Sequence, residues 1–176
     1  MCSSDLLKGG IGSACEVTED GLSVGALVAA NSFGEVVDPD SGRMVAGPRA
    51  EDGGFADTLA VLRSRPGLSP FATASNSTIG VVATDAALSR SDCYRLAVMA
   101  QAGLTRAVRP AHTPVDGDTI FALATGTKER PAEMLRLGAL AARAVERAIL
   151  RAVAEARGLA GVPSAREWTE GGTGTD

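Results

Sequence analysis

The arrangement of apolar positions along the chain predicts three strands of a buried sheet. Residues 22–32, 78–84 and 119–125 are short apolar runs, each bounded by turn residues. Such runs are typical of buried strands. The third strand follows the turn Asp116-Gly117-Asp118, and residues 8–15, which are rich in small residues, lead towards a further strand.

Helical spacing of apolar residues predicts two helices. A capping-box sequence begins at Ser89, and the helix that it opens is expected to run to about Ala102, with Gly103 as its C-terminal stop. The second helix begins at Pro131 and ends near Gly158. Charged residues occupy the side opposite its apolar stripe, so we expect it to lie on a core with one side in water.

Turn-forming and polar residues dominate the rest of the chain. Residues 35–47 are expected to be exposed turns, and residues 66–77 to be a flexible loop. The stretch 106–113 is predicted to be irregular around Pro110. The Gly-, Thr- and Glu-rich segment 161–176 is predicted to be a disordered tail.

Composition indicates one domain that binds neither nucleic acid nor membranes. A chain of 176 residues is enough for one domain. It is 45% hydrophobic but only 3% aromatic, so Ala, Val, Leu and Ile must build the core. A net charge of −4 with dispersed arginines argues against a nucleic-acid partner. No apolar run approaches the ~18 residues of a membrane span, and without a visible signal-peptide pattern we expect a cytoplasmic protein.

Cysteine and histidine usage argues against a metal site. Cys2, Cys15 and Cys93 form no CxxC pair, and an odd number of cysteines makes a disulfide framework a poor explanation. We expect Cys15 and Cys93 to be small core residues. His112 is the single histidine, which excludes a histidine-rich site. We therefore predict neither a metal ion nor another cofactor.

The junction Asn76-Ser77 is the strongest candidate for chemistry. Small polar residues run there into the second predicted strand, and a hydroxyl stands at the junction. If the Asn76–Ser77 peptide bond breaks, Ser77 carries both a hydroxyl nucleophile and an α-amine that can act as its general base. Asn-Ser before a strand is also an ordinary turn sequence, and the junction alone leaves both interpretations open.

Five blocks of sequence, taken together and in order, resemble one known family. They are residues 8–14, 24–28, 31–34, 76–86 and 112–122. With them the chain resembles the self-processing L-aminopeptidase/D-amino-acid esterase family, which includes β-peptidyl aminopeptidases and nylon-oligomer endo-hydrolases. The resemblance covers about residues 7–160 as one catalytic domain, and residues 1–6 do not look like family sequence.

The resemblance implies an α/β fold, an αββα sandwich similar to the N-terminal nucleophile hydrolases but differently connected. This chain looks like the C-terminal part of a full-length member. The family's upstream region, which supplies part of the sheet stack, has no counterpart here. We therefore expect an incomplete sandwich.

The resemblance also implies a set of site residues. Ser77 is the nucleophile and Asn76–Ser77 the self-cleaved bond. The side-chain amide of Asn31 is the candidate oxyanion donor, with a turn asparagine as the alternative. Lys8 either keeps the Ser77 amine neutral, polarises the oxyanion, or is a solvated charge.

Asp116 and Asp118 share a face in extended chain. As in nylon-oligomer hydrolases, the pair is expected to orient the Ser77 amine and hydroxyl, unless it is a plain turn. His112 is expected to be structural, and Asp85 to cap the segment that follows it.

The implied function is an autocatalytically processed N-terminal-serine aminopeptidase or amidohydrolase. Its expected substrate is a small peptide or amide with a free amine, and a homo-oligomer is expected. One alternative is acyl transfer, because ornithine acetyltransferases share this self-cleaving fold, although their Ala-Thr-Met-Leu cleavage block is absent here. The other alternative is an inactive truncated fragment.

Overall fold

A computed structural model describes residues 7–50, 52–64, 76–128 and 133–171. The strands are β1 (Ile11–Val17), β2 (Ser23–Ala29), β3 (Glu35–Val37), β4 (Met44–Ala46), β5 (Ile79–Ala86), β6 (Val108–Arg109) and β7 (Thr119–Lys128). The helices are α1 (Thr58–Ser64), α2 (Arg90–Ala107), α3 (Met134–Ala154) and α4 (Ala165–Gly171). The three predicted strands are confirmed as β2, β5 and β7, and the segment 8–15 does lead into a strand, β1.

The four longest strands form the main sheet, in the order β1-β2-β5-β7. β1, β2 and β5 pair antiparallel, whereas β5 and β7 pair parallel. The helix α2 lies between β5 and β7 in the chain, which gives this parallel pair the crossover that it needs. Three short strands form a second sheet in the order β4-β3-β6.

Helices cover one face of the main sheet. α3 contacts β1 and β2, α2 contacts β7, and the two helices contact each other. The buried residues of the strands alternate with exposed ones, so that Val24, Val28 and Val82 point towards the helices. Leu137 and Ile149 of α3, both fully buried, pack in the same core cluster.

The other face of the main sheet is apolar and uncovered in the described part of the chain. We call it the open face. Its large apolar side chains are 45 to 68% exposed, and they are Ile11, Val17, Leu27, Ile79, Phe121 and Leu123. Strand register places Ser13, Cys15, Gly25, Ala29, Val81 and Ala83 between them. A contiguous apolar patch of this kind is typical of a surface that packs against another layer. The described residues therefore provide one helical layer and one main sheet, which is the incomplete sandwich that the resemblance implied.

A buried carboxylate on α3 joins three elements. Glu146 is almost fully buried and forms ion pairs with Arg143 on its own helix and with Arg106 on α2. Arg143 also binds Asp40, in the loop between β3 and β4, at 2.6 Å. The hydrogen bond from Arg143 holds the pKa of the Asp40 carboxyl below its usual range. Because both arginines reach it, the buried charge of Glu146 is paired.

The prediction that α2 ends at Gly103 is wrong. Its start is confirmed, since Ser89 and Asp92 form the capping box, but the helix continues to Ala107. Gly103 faces α3, and a Cβ there would lie 2.0 Å from the carbonyl oxygen of Ala142. The glycine therefore permits close approach of two helices rather than ending one.

Two of the predicted loop regions contain strands. In residues 35–47 the strands β3 and β4 carry buried Val36, Val37 and Ala46, and the turn residues lie between them. In residues 106–113 the chain leaves α2 directly into β6, which pairs with β3. The loop predicted at 66–77 lies mostly outside the described residues.

Residues 161–171 are ordered, so the predicted disordered tail is wrong for that part. Val162 bridges to Leu159, and α4 follows. Trp168 on α4 donates from its indole nitrogen to the carbonyl oxygen of Gly54 at 2.9 Å. The Arg49 guanidinium lies 4.9 Å from the centroid of the same ring. One large aromatic residue thus anchors a segment whose composition resembles a linker.

Two single-residue expectations are also wrong. Cys15 is exposed on the open face rather than packed in the core, whereas Cys93 is half-buried on α2. Asp85 does not cap the segment after it, because its carboxylate accepts from the Ser23 N–H and pairs with Lys128 at 3.1 Å. The Ser23 hydrogen bond, followed by Lys128, holds the pKa of Asp85 below its usual range.

The contact between α2 and α3 gives a stability prediction. Gly103→Ala should lower the free energy of unfolding by about 3 kcal/mol, because the new methyl meets rigid backbone. Gly138→Ala is the matched control on the opposing helix, where the added methyl meets the flexible end of Met99. It should cost clearly less. Urea denaturation of both variants measures the difference, and equal losses would contradict this packing.

Candidate active site

Parallel pairing of β5 and β7 places the turn 116–118 beside the segment 76–78. The pairing continues ahead of both strands, since the Gly117 N–H donates to the carbonyl oxygen of Asn76 at 2.9 Å. Ser77 therefore lies opposite Gly117. The two sequence motifs that carried the functional prediction are direct neighbours in space.

Asn31 flanks Ser77 on its other side. The antiparallel pairing of β2 with β5 continues beyond the strands, and the Ser77 N–H donates to the Asn31 carbonyl oxygen at 2.8 Å. Ser77 is two residues from Ile79, so it belongs to the open face of the sheet. Asn31 is opposite Ser77 and belongs to the same face, and its side chain is exposed. The structure thus brings together Asn31, Ser77 and Gly117 across three strand ends.

Two donors converge on the carbonyl oxygen of Asn76. The Ser77 hydroxyl donates to it at 2.6 Å, and the Gly117 N–H donates to it from 2.9 Å. Asn76 itself is buried, and Ser77 is half-buried. This carbonyl belongs to the Asn76–Ser77 peptide bond, so the Ser77 hydroxyl and the Gly117 N–H both lie against the bond that is predicted to break.

The carboxylates of Asp116 and Asp118 hold the backbone around Ser77. Asp116 accepts from the Phe33 N–H at 3.0 Å and from the Thr113 hydroxyl. Asp118 accepts from the Thr78 N–H at 2.9 Å and from the His112 N–H at 3.0 Å. Both aspartates are an even number of residues from buried Ile120, so they belong to the helical face of the sheet, whereas Ser77 belongs to the open face. An orienting role on the freed amine stays a prediction.

Lys8 lies near the same site. Its ammonium donates to the Gly9 carbonyl oxygen at 2.9 Å, and its backbone N–H donates to Pro163 at 2.8 Å. Lys8, Asn31 and Asn76 all line one cleft, together with Phe33 and Val36. Lys8 therefore shares a cleft with Asn76, and its ammonium is bound to a backbone carbonyl.

His112 supports the turn through its backbone rather than by contact with Ser77. Its φ of 55° is in the left-handed region, and its N–H binds Asp118. Its ring nitrogen Nδ1 lies 3.8 Å from the same carboxylate.

Gly117 and the main-chain carbonyl of Asn31 are the site groups that sequence reasoning missed. A signal for Gly117 existed. The turn 116–118 comes directly before β7, just as 76–78 comes directly before β5. If the two strands pair in parallel, this equal spacing sets Gly117 opposite Ser77.

Within the described residues, no group of three or more His, Cys, Asp or Glu side chains is arranged to hold a metal ion. No helix in the same part of the chain is long and apolar enough to cross a membrane.

Sequence comparison identifies the family. The profile of peptidase family S58 matches residues 2–166. The chain belongs to peptidase family S58. An uncharacterized aminopeptidase of Mycobacterium bovis is 42% identical, and the match covers 96% of this chain but 54% of that protein. The chain therefore spans about half the length of this S58 relative.

Solved structures agree with the assignment and with the partial coverage. A Burkholderia sp. beta-aminopeptidase is 31% identical with a TM-score of 0.53, and the match covers 84% of this chain and 42% of that one. The L-aminopeptidase D-Ala-esterase/amidase of Ochrobactrum anthropi is 21% identical with a TM-score of 0.53, covering 88% and 43%. The latter is described as a variant of the Ntn hydrolase fold, and this S58 chain shares part of that fold. The predicted family and α/β fold class are confirmed.

The buried carboxylate of Asp118 gives a second prediction. Asp118→Ala should lower the free energy of unfolding by about 2–3 kcal/mol, because the buried Thr78 N–H loses its acceptor. Asp118→Asn keeps an oxygen acceptor and should cost less. Chemical denaturation compares the two, and an alanine variant as stable as the asparagine variant would show that these hydrogen bonds contribute little.

Proposed function

We propose that this chain carries the self-processing serine of an aminopeptidase, and that Asn76–Ser77 is the bond it cleaves in itself. The observation that supports this most directly is the contact of the Ser77 hydroxyl with the Asn76 carbonyl oxygen at 2.6 Å. Family membership supports peptidase chemistry, and the relatives in sequence are named as aminopeptidases.

The proposed self-cleavage is an N-to-O acyl shift followed by hydrolysis. The Ser77 hydroxyl oxygen attacks the Asn76 carbonyl carbon, the C–N bond breaks, and the hydroxyl proton ends on the Ser77 nitrogen. Water then adds to the resulting ester. The products are a carboxylic acid at Asn76 and a Ser77 that bears a free hydroxyl and a free amine, so atoms balance without a further reactant.

The freed residue has what a second acyl reaction needs. Its amine can take the hydroxyl proton, which is the logic of nucleophiles at a chain N-terminus. In this proposal the Asn31 carbonyl oxygen, which accepts the Ser77 N–H at 2.8 Å in the uncut chain, continues to accept from that amine. The exposed Asn31 side chain donates to the substrate oxyanion in the same proposal.

The proposed substrate is a small peptide or amide with a free amine. Ser77, Asn31 and the large apolar residues of the open face lie on one side of the sheet, so the substrate would bind at the edge of that face. The chain spans only part of its relatives. Activity of the whole protein therefore requires another layer over the open face, and a homo-oligomer is part of the same proposal.

The decisive test is whether Ser77 becomes a new N-terminus. N-terminal sequencing of the purified protein should yield Ser77-Thr78-Ile79, and Ser77→Ala should remain uncut because no hydroxyl is left to attack. Ser77→Thr should still be processed. Ser32→Ala, which removes a hydroxyl from a neighbouring strand end, is the control and should be processed normally. An uncut wild-type protein would refute the proposal.

Substrate choice gives a further prediction. Processed protein should hydrolyse an alanine p-nitroanilide with a free amine at least about 100-fold faster, in kcat/KM, than its N-acetylated form. Acetylation removes the positive charge of the substrate amine, so any group of the site that pairs with this ammonium loses its partner. Release of nitroaniline measures both rates. Comparable rates would argue for an amidase that does not recognise the amine.

A further inference from the structure

We propose that Gly117 is a catalytic residue of the self-cleavage: its N–H stabilises the oxyanion at Asn76, and its missing side chain leaves the space that the Ser77 hydroxyl occupies. This inference rests on the proposed self-cleavage at Asn76–Ser77. It gives the N–H of Gly117 and its missing side chain each a role in the reaction, and the sequence motifs did not single out this residue.

The N–H of Gly117 already has the geometry of an oxyanion donor. It donates to the Asn76 carbonyl oxygen at 2.9 Å, within the range at which such donors act. When the Ser77 hydroxyl attacks, it gives up its own hydrogen bond to that oxygen. The Gly117 N–H is then the donor that stays in place while negative charge develops on the oxygen.

The absence of a side chain at Gly117 is required by space. A Cβ built there would lie 2.6 Å from the Ser77 hydroxyl oxygen and 3.6 Å from the Ser77 Cβ. Backbone conformation does not demand this glycine, because Gly117 is not among the positive-φ glycines, unlike Gly21 and Gly42. Any other residue at 117 would therefore push the hydroxyl from its place beside the scissile carbonyl.

The turn around Gly117 is held rigidly, as an oxyanion donor requires. Asp116 binds the Phe33 N–H, and Asp118 binds the N–H groups of Thr78 and His112. Both carboxylates thus anchor the turn from the side opposite Ser77. A donor fixed before the reaction needs no reorganisation as charge develops.

The first experiment measures the rate at which uncut protein converts to fragments, by intact mass. Gly117→Ala should slow conversion by at least about 100-fold, with an unchanged thermal midpoint, because the methyl displaces only the end of the Ser77 side chain. Gly25→Ala is the matched control. It adds the same methyl to the same sheet face, where the nearest atom is 3.7 Å away, and should be processed at the wild-type rate. A Gly117→Ala rate within about threefold of wild type would overturn the proposal.

The second experiment tests the N–H itself and does not depend on cleavage. In uncut Ser77→Ala protein, amide exchange of Gly117 should be slowed at least about 100-fold relative to an unprotected amide, with scalar coupling across the hydrogen bond to the Asn76 carbonyl carbon. Exchange at the unprotected rate would overturn the donor assignment even if wild-type protein cleaves. Conversely, wild-type protein that never cleaves refutes the proposed function, whereas the amide measurement still decides whether Gly117 holds this oxygen.

Discussion

The parallel pairing of β5 with β7 is the constraint on which the candidate site depends. One register sets Ser77 opposite Gly117 and Thr78 opposite Asp118, ahead of the strands themselves. A slip of one residue would turn Ser77 to the helical side of the sheet. The buried contacts of α2 and α3 hold that register, because they fix which face of each strand is covered. The packing of the core therefore also sets the position of Ser77.

The open face is the apolar side of the main sheet that no described element covers. Sheets with two apolar faces are stable only between two layers. Here α2 and α3 cover one face, while large side chains such as Ile11 and Phe121 remain exposed on the other. Ser77 lies at the margin of this surface. A layer that covered this face would therefore also lie beside Ser77.

Periodicity and the family resemblance predicted most of the main sheet, the start of α2 and the grouping of Asn31 with Ser77. Physical reasons explain the failures. Gly103 has the sequence signature of a helix end, yet it serves a helix contact that only tertiary structure reveals. The turn residues of 38–42 masked the short strands on either side of them. The exposure of Cys15 follows from which face the helices cover, and no local pattern encodes that.

Contacts across the candidate cut have a consequence for the processed molecule. The N-terminal piece would contain β1 and β2, and the C-terminal piece β5, β7 and the helices α2 to α4. β2 and β5 are hydrogen-bonded neighbours, α3 packs on β1 and β2, and Trp168 binds Gly54. Breaking one peptide bond leaves every one of these contacts intact. The cut would therefore convert one chain into two tightly associated subunits. The covalent structure would change, whereas the fold would stay almost the same.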